Sequence, residues 1–281
     1  MSVLSAPTRR FSLGTLFLTL LSVIAAGLWF FPVYWGIVTS LRFDDETVKD
    51  FALWPSNPTL NNYIFDIENS DLPIWYLNST ITSVAVTVLV VFMSACTGYA
   101  ISQLNFPGRK ALWWMILGSF MVPVSALIVN HFIIIAGVKL LNSYFGIVLP
   151  MLIAPVTVIV YKQFFDGLPR EFREAAVMDG ATEFQLLFRI FLPMNWGITT
   201  ALAIITFIGA WNSFLWPFLA VQDEKMMTVT VGISAVQDAY GVAYGRILSG
   251  AVLAGLPVSL AYLLVQRRVT QAITLSAGIK G

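Results

Sequence analysis

Few side chains in this sequence could do covalent chemistry. There is one histidine, His131, beside Asn130 in an apolar run, and one cysteine, Cys96, in another. No pair of carboxylates falls inside an apolar run, which leaves no metal-ligand set and no nucleophile, base and orienter triad. The Gly-rich loop ending in Lys-Ser or Lys-Thr that cradles nucleotide phosphates is missing too, so this chain is not expected to hydrolyse ATP or hold a metal or cofactor itself. Cys96 cannot form an internal disulfide and reads as small packing filler.

What remains is binding. A polar group left unpaired in hydrocarbon costs a few kcal/mol, so Asn130 and His131 must face a bundle interior or a watery cavity. Two readings stand: contact with a transported solute, or a helix-to-helix hydrogen bond from Asn130 beside a structural histidine. Trp211 and Asn212, followed by Ser213, set an aromatic face beside an amide. That suits sugar recognition and equally suits helix packing.

The most distinctive polar stretch is Glu174-Ala175-Ala176-Val177-Met178-Asp179-Gly180-Ala181, followed by Ile190-Phe191-Leu192-Pro193. It predicts two short helices with a break between them. Pro169 suits the first helical position and Gly180 the left-handed stop after the last turn. Thr182 stands three residues before Gln185, the capping-box spacing that opens a second helix. Leu192 precedes Pro193, so that helix is expected to end there. Phe184, Leu187, Phe188 and Phe191 recur at i, i+3, i+4 and i+7 as one apolar stripe in need of a partner. Ala175 and Ala176, with Gly180, offer a low surface that another backbone can approach. By periodicity, the pair is either a docking knob or an amphipathic hairpin lying on a bilayer or on its own bundle.

These residues sit in a chain of 281 residues that is 58% hydrophobic, with a mean hydropathy of +0.80. That composition excludes an ordinary soluble domain. The net charge of +1, with no basic run interleaved with aromatics, offers nothing to a nucleic acid. Apolar runs long enough to span about 30 Å of hydrocarbon occur near residues 14–38, 80–101, 111–136, 144–165, 197–219 and 247–265. The expectation is an all-α integral membrane fold, one transmembrane domain over 1–281 with six transmembrane helices. Arg9, Arg10, Arg109, Lys110, Lys162, Arg170, Arg173, Arg189, Arg267, Arg268 and Lys280 then share one side, while Arg42, Lys49, Lys139, Lys225 and Arg246 take the other. The positive-inside rule makes both termini cytoplasmic, with the loop of about 166–196 between spans 4 and 5 on the same side. The first run extends through Leu28, Trp29, Phe30, Phe31, Val33, Tyr34 and Trp35, longer than a cleaved signal core, and reads as a span ending in an aromatic belt. The outer loop of about 42–76 is acidic, which exclusion of positive charge from that side accounts for. Pro32, Pro123, Pro150, Pro155, Pro217 and Pro257 interrupt the spans, and the pairs Gly250 with Ala254 and Ala251 with Gly255 suit close helix contact.

Glu-Ala-Ala, three residues, Gly, nine residues, then Ile-x-Leu-Pro resembles the cytoplasmic loop of inner-membrane permeases of binding-protein-dependent ABC importers. The order of motifs extends the resemblance over nearly the whole chain. Pro58-Thr59-Leu60-Asn61-Asn62-Tyr63, Asn78-Ser79, Gly98-Tyr99-Ala100, Phe106-Pro107-Gly108-Arg109, Leu141-Asn142-Ser143-Tyr144, Gln163-Phe164-Phe165, Trp211-Asn212 with Trp216-Pro217 and the tail Gly278-Ile279-Lys280-Gly281 look like the carbohydrate branch, nearest the second, shorter permease of maltose-type transporters.

The resemblance implies a coupling loop that sits in a cleft of an ATPase subunit. Glu174, Ala175, Ala176 and Gly180 would carry that contact, with Asp179 and Arg173 beside it. It also implies a bacterial inner membrane location, a second permease subunit, two copies of an ATP-binding cassette ATPase that hold ATP and Mg, and a periplasmic sugar-binding protein docking at the outer loop. Asn130 and His131 depart from the apolar residues or proline usual in these permeases. The sugar itself stays open, from neutral oligosaccharides to anionic derivatives. The rival reading is a stand-alone secondary transporter or channel in which His131 relays protons and the Glu174 loop is a gate. Against it, no span carries a buried acid to couple an ion gradient.

Overall fold

Every regular element among the described residues, 13–43, 53–240 and 243–278 of a computed structural model, is helical. The expectations for Arg9, Arg10, Lys49, the acidic residues 44–50 and the tail from Ile279 lie outside these residues. Among these described residues three helices are long and apolar enough to cross a membrane alone, and up to six spans result if each sharply bent helix pair counts as one.

The chain divides into two units. The first holds residues up to Glu68 and 240–252. Its long helix α1 (Leu13–Ser40) leaves most of its apolar side chains exposed. The helix α2 (Asn61–Glu68) is tied back to the end of α1 by the motif that precedes it. Asn62 Nδ2 donates to the carbonyls of Ser40 and Arg42 at 2.9 and 2.8 Å, and Tyr63 Oη lies 2.6 Å from Ser40 Oγ. The Asn61-Asn62-Tyr63 run thus satisfies backbone acceptors left open where α1 stops.

The second unit holds residues 69–239 and the chain from Leu253. Its axis is α3 (Leu72–Gln103), which begins eight residues before the expected start of span 2 because Pro73 occupies its first turn. The third expected span is not continuous. It is α4 (Arg109–Phe120) and α5 (Ile128–Gly137), joined by a 3₁₀ turn at Val124–Leu127, with a 95° bend at Pro123, which cannot donate to a helical ladder. The fourth is likewise α6 (Tyr144–Met151) and α7 (Pro155–Asp166), bent by 51° where Pro155 forces a new helix start. Next come α8 (Arg170–Met178), α9 (Glu183–Met194) and α10 (Trp196–Trp211). The expected span over 197–219 stops at Trp211 and resumes as α11 (Leu215–Ala220). Helix α12 (Val229–Tyr240) follows, and α13 (Tyr244–Gly278) runs from the first unit into the second.

Close packing in this unit depends on Gly98. A Cβ built there would lie 2.7 Å from Tyr161 Cβ and 3.1 Å from the Lys162 nitrogen, so α3 and α7 cross with no room for a side chain. Two other motifs act as backbone anchors. Asn78 Nδ2 donates to the carbonyls of Lys225 and Met227 at 2.8 and 2.9 Å, its Oδ1 accepts from Tyr144, and Ser79 Oγ accepts the Val229 amide that opens α12. Asn142 Oδ1 accepts from the amides of Gln222 and Asp223.

Candidate functional site

Helices α8 and α9 form the knob that the Glu174 stretch predicts. Pro169 does not take the first helical position. With ψ 135 it is the N-cap, and α8 starts at Arg170. The other end is a complete Schellman closure: Gly180 is left-handed at φ 79, its amide donates to Val177 O at 3.0 Å and the Ala181 amide donates to Ala176 O at 2.9 Å. The capping box opens α9, with the Thr182 amide donating to Gln185 Oε1 at 2.8 Å and the Gln185 amide donating to Thr182 Oγ1 at 3.4 Å.

Pro193 does not end α9. Residues Leu187–Phe191 widen into a π-helical turn, which accommodates the missing donor, and the helix runs on to Met194. The stop falls at Asn195, whose side chain donates to Phe191 O at 2.8 Å, and α10 departs at 86°. The wider turn also rotates the apolar stripe. Leu186, Leu187 and Phe191 are buried, while Phe184 and Phe188 stay exposed, stacked on each other with ring centroids 6.3 Å apart.

The buried side of the knob closes on an aromatic cluster. Phe191 meets Tyr99 edge-on at 5.1 Å and Phe165 at 5.6 Å, and Phe165 stacks on Tyr161 at 5.4 Å. Such pairs contribute about 0.5–1.5 kcal/mol each beyond their buried area. Ala176 belongs to this cluster: only 8% exposed, it faces its own bundle rather than outward. A polar clasp stands beside it. Glu183 accepts from Arg173 Nη2 at 2.6 Å through one oxygen and from the Tyr99 hydroxyl through the other. Burial, the largest single influence, would lower the Arg173 pKa, but the Glu183 carboxylate and the Tyr99 hydroxyl together outweigh it and hold the guanidinium above its ordinary value. Arg173 is therefore spent inside the chain. The outward face of α8 presents Glu174, Ala175, Met178 and Asp179, all exposed, with Met178 86% open.

The intramembrane expectations separate. His131 is partly buried and meets Trp216 edge-on at 5.9 Å. It lines a cavity of about 600 Å³ where the breaks between α4 and α5, α6 and α7, and α10 and α11 meet, together with Ser125, Pro150, Thr206, Gly209 and Ser213. Asn130 and Asn212 are exposed and do not line it. Trp211 is buried against Leu72, Trp75 and Val229, and its Nε1 donates to Ala254 O at 3.1 Å, so it takes part in helix packing. Among the described residues no group of histidine, cysteine and carboxylate side chains could hold a metal. Sequence reading missed Glu183 and the cavity's hydroxyl lining, because both depend on contacts between distant segments. The one available signal was Tyr99, a phenol in a quoted motif with no role assigned to it.

Comparison with known proteins agrees with this architecture. Residues 3–274 match the family described as binding-protein-dependent transport system inner membrane component. The chain is 32% identical over 276 residues to the arabinooligosaccharides transport system permease protein of Bacillus subtilis, covering 97% of this chain and 98% of that one. It is also 32% identical over 246 residues to the sn-glycerol-3-phosphate transport system permease protein of Pectobacterium atrosepticum, covering 84% and 88%. The fold is similar, with a TM-score of 0.79 at 18% identity, to a crystal structure of a bacterial ABC transporter involved in the import of the acidic polysaccharide alginate, over 92% of this chain and 99% of the other.

Proposed function

This chain belongs to the family of binding-protein-dependent transport system inner membrane components, and on that premise we propose that it forms half of the pore of an ATP-driven importer for a sugar or sugar derivative. In this reading a second permease completes the pore, two copies of an ABC ATPase bind ATP and Mg and power it, and a periplasmic binding protein delivers the solute at the outer loop. Both termini and the α8–α9 knob face the cytoplasm, as the basic residues require.

The observation that carries the reading is the two-sided construction of the knob. Its inner side is locked by the aromatic cluster and the Arg173, Glu183 and Tyr99 clasp, while its outer face offers Glu174, Ala175 and Met178, with no partner for the Glu174 carboxylate among the described residues. A rigidly mounted surface with a free charge is suited to transmit a neighbour's motion into the spans. The cavity at the three helix breaks is the segment of the solute pathway that this chain supplies, since irregular backbone at membrane depth is tolerated where it lines a cavity. Vesicle uptake separates this from the secondary-transporter reading. Uptake should need ATP on the cytoplasmic side and survive an ionophore that collapses the proton gradient; uptake driven by the gradient without ATP contradicts it.

A further inference from the structure

A second cleft, of about 820 Å³, opens beside the first turn of α4. It is lined by Arg109, Lys110 and Lys162, with Phe106 and Trp113, and by no carboxylate. Arg109 is anchored by neutral acceptors only, donating to the carbonyls of Ser102 and Leu104 and to Asn105 Oδ1, each at 3.1 Å, so its charge is not cancelled. Lys162 lies 4.8 Å from the Trp113 ring centre and pairs with Asp166, which also accepts from Ser102 Oγ. Lys110 is exposed and has no partner among the described residues. Three cations therefore face one paired carboxylate, beside helix-start amides that also favour an anion.

The surroundings identify the anion. Trp113 and Trp114 stand at the charged end of α4, Trp114 being 70% exposed, and the helix continues as an open apolar surface through Met115 at 64% and Phe120 at 56%. Basic residues, then tryptophan, then bare hydrocarbon is the order of headgroup, interface and acyl chain.

We propose that this cleft binds the phosphate of an anionic phospholipid whose acyl chain lies along α4. The placement in the inner leaflet rests on the cytoplasmic assignment above; the binding itself does not. The test is native mass spectrometry of the importer complex, purified in mild detergent and titrated with phosphatidylglycerol or with phosphatidylcholine. Wild type should retain phosphatidylglycerol preferentially. Lys110→Gln and the double variant Lys110→Gln/Lys162→Gln should lose retention by about fivefold per lysine, while Lys139→Gln/Lys225→Gln keeps it. Equal retention of both lipids, or no loss in Lys110→Gln, overturns the proposal. So does displacement of the lipid by inorganic phosphate but not by chloride of equal ionic strength, which marks a free-phosphate site. The same spectra report whether ATPase subunits remain bound, so failure of the lipid site is distinguishable from failure of the importer reading.

Discussion

Arg173 on α8 and Glu183 on α9 are joined at 2.6 Å, and the second oxygen of Glu183 takes the hydroxyl of Tyr99 on the long helix α3. One carboxylate thus clasps both helices of the knob to a membrane-spanning element. The ion pair is partly exposed, 30% and 44% at its two side chains, so its share of global stability is small. Its effect is local order. Tyr99→Phe and Glu183→Gln should leave the amount of folded protein near wild type while trypsin cleaves after Arg170 and Arg173 several-fold faster in intact membranes. Unchanged cleavage would mean that the aromatic cluster alone holds the loop.

Gly180 has no atom near the position of a Cβ, so substitution there meets no steric obstacle beyond its own backbone. The left-handed conformation at φ 79 costs a β-branched residue roughly 1–2 kcal/mol or more. Gly180→Val should abolish uptake while the chain inserts normally, and Gly180→Asn should retain a measurable fraction, because asparagine tolerates that conformation. Equal activity in the two variants, measured as solute uptake at matched membrane level, removes the Schellman closure from the account.

Gly98 is the opposite case. Its φ is ordinary, but a Cβ would sit 2.7 Å from Tyr161 Cβ and press on the α7 backbone. Gly98→Val should cost about 1–3 kcal/mol by overpacking and reduce the monodisperse fraction on gel filtration in detergent, a defect that Gly180→Val does not share.

The cavity lined by His131 and Ser213 should carry solute. Gly209 lines it, and a Cβ there would meet open space, so Gly209→Phe would place its ring in the cavity. Uptake should fall at least tenfold, an effect of about 1.4 kcal/mol or more on the barrier, with ATPase subunits still bound. Trp211→Phe removes the 3.1 Å hydrogen bond to Ala254 together with part of a buried ring, and should act on thermal stability, by about 1–3 kcal/mol, rather than on solute preference.

The features legible in the sequence are those decided within a few residues of chain. The left-handed Gly180 and the Thr182 and Gln185 capping box involve only neighbouring backbone groups, and both are found as expected. The six apolar runs are helical for the same reason, since their composition acts locally. What escaped the sequence is decided by contacts across the fold. Whether Ala176 turns outward or inward depends on Tyr99, Tyr161 and Phe165 from two other helices. Pro193 ends nothing because a π turn absorbs it, and that same turn moves Phe184 and Phe188 off the buried face. Trp211, whose type and position left sugar contact and helix packing equally open, fills a core shared with Leu72 and Val229. Several motifs that carry the family resemblance, among them Asn78-Ser79 and Asn142, prove to hold distant backbone in place.

Glu174 lies on the exposed face of α8, and its carboxylate has no partner among the described residues. In the importer reading proposed above, this face is where an ATPase subunit engages. The most direct test is to pull the tagged chain from its native membrane in mild detergent and identify the bound proteins by mass spectrometry, beside Glu174→Arg. The account predicts that an ATPase and a second permease come down with wild type, and that Glu174→Arg keeps the second permease but loses the ATPase. A chain that purifies alone, or a Glu174→Arg variant that holds the ATPase as wild type does, contradicts it.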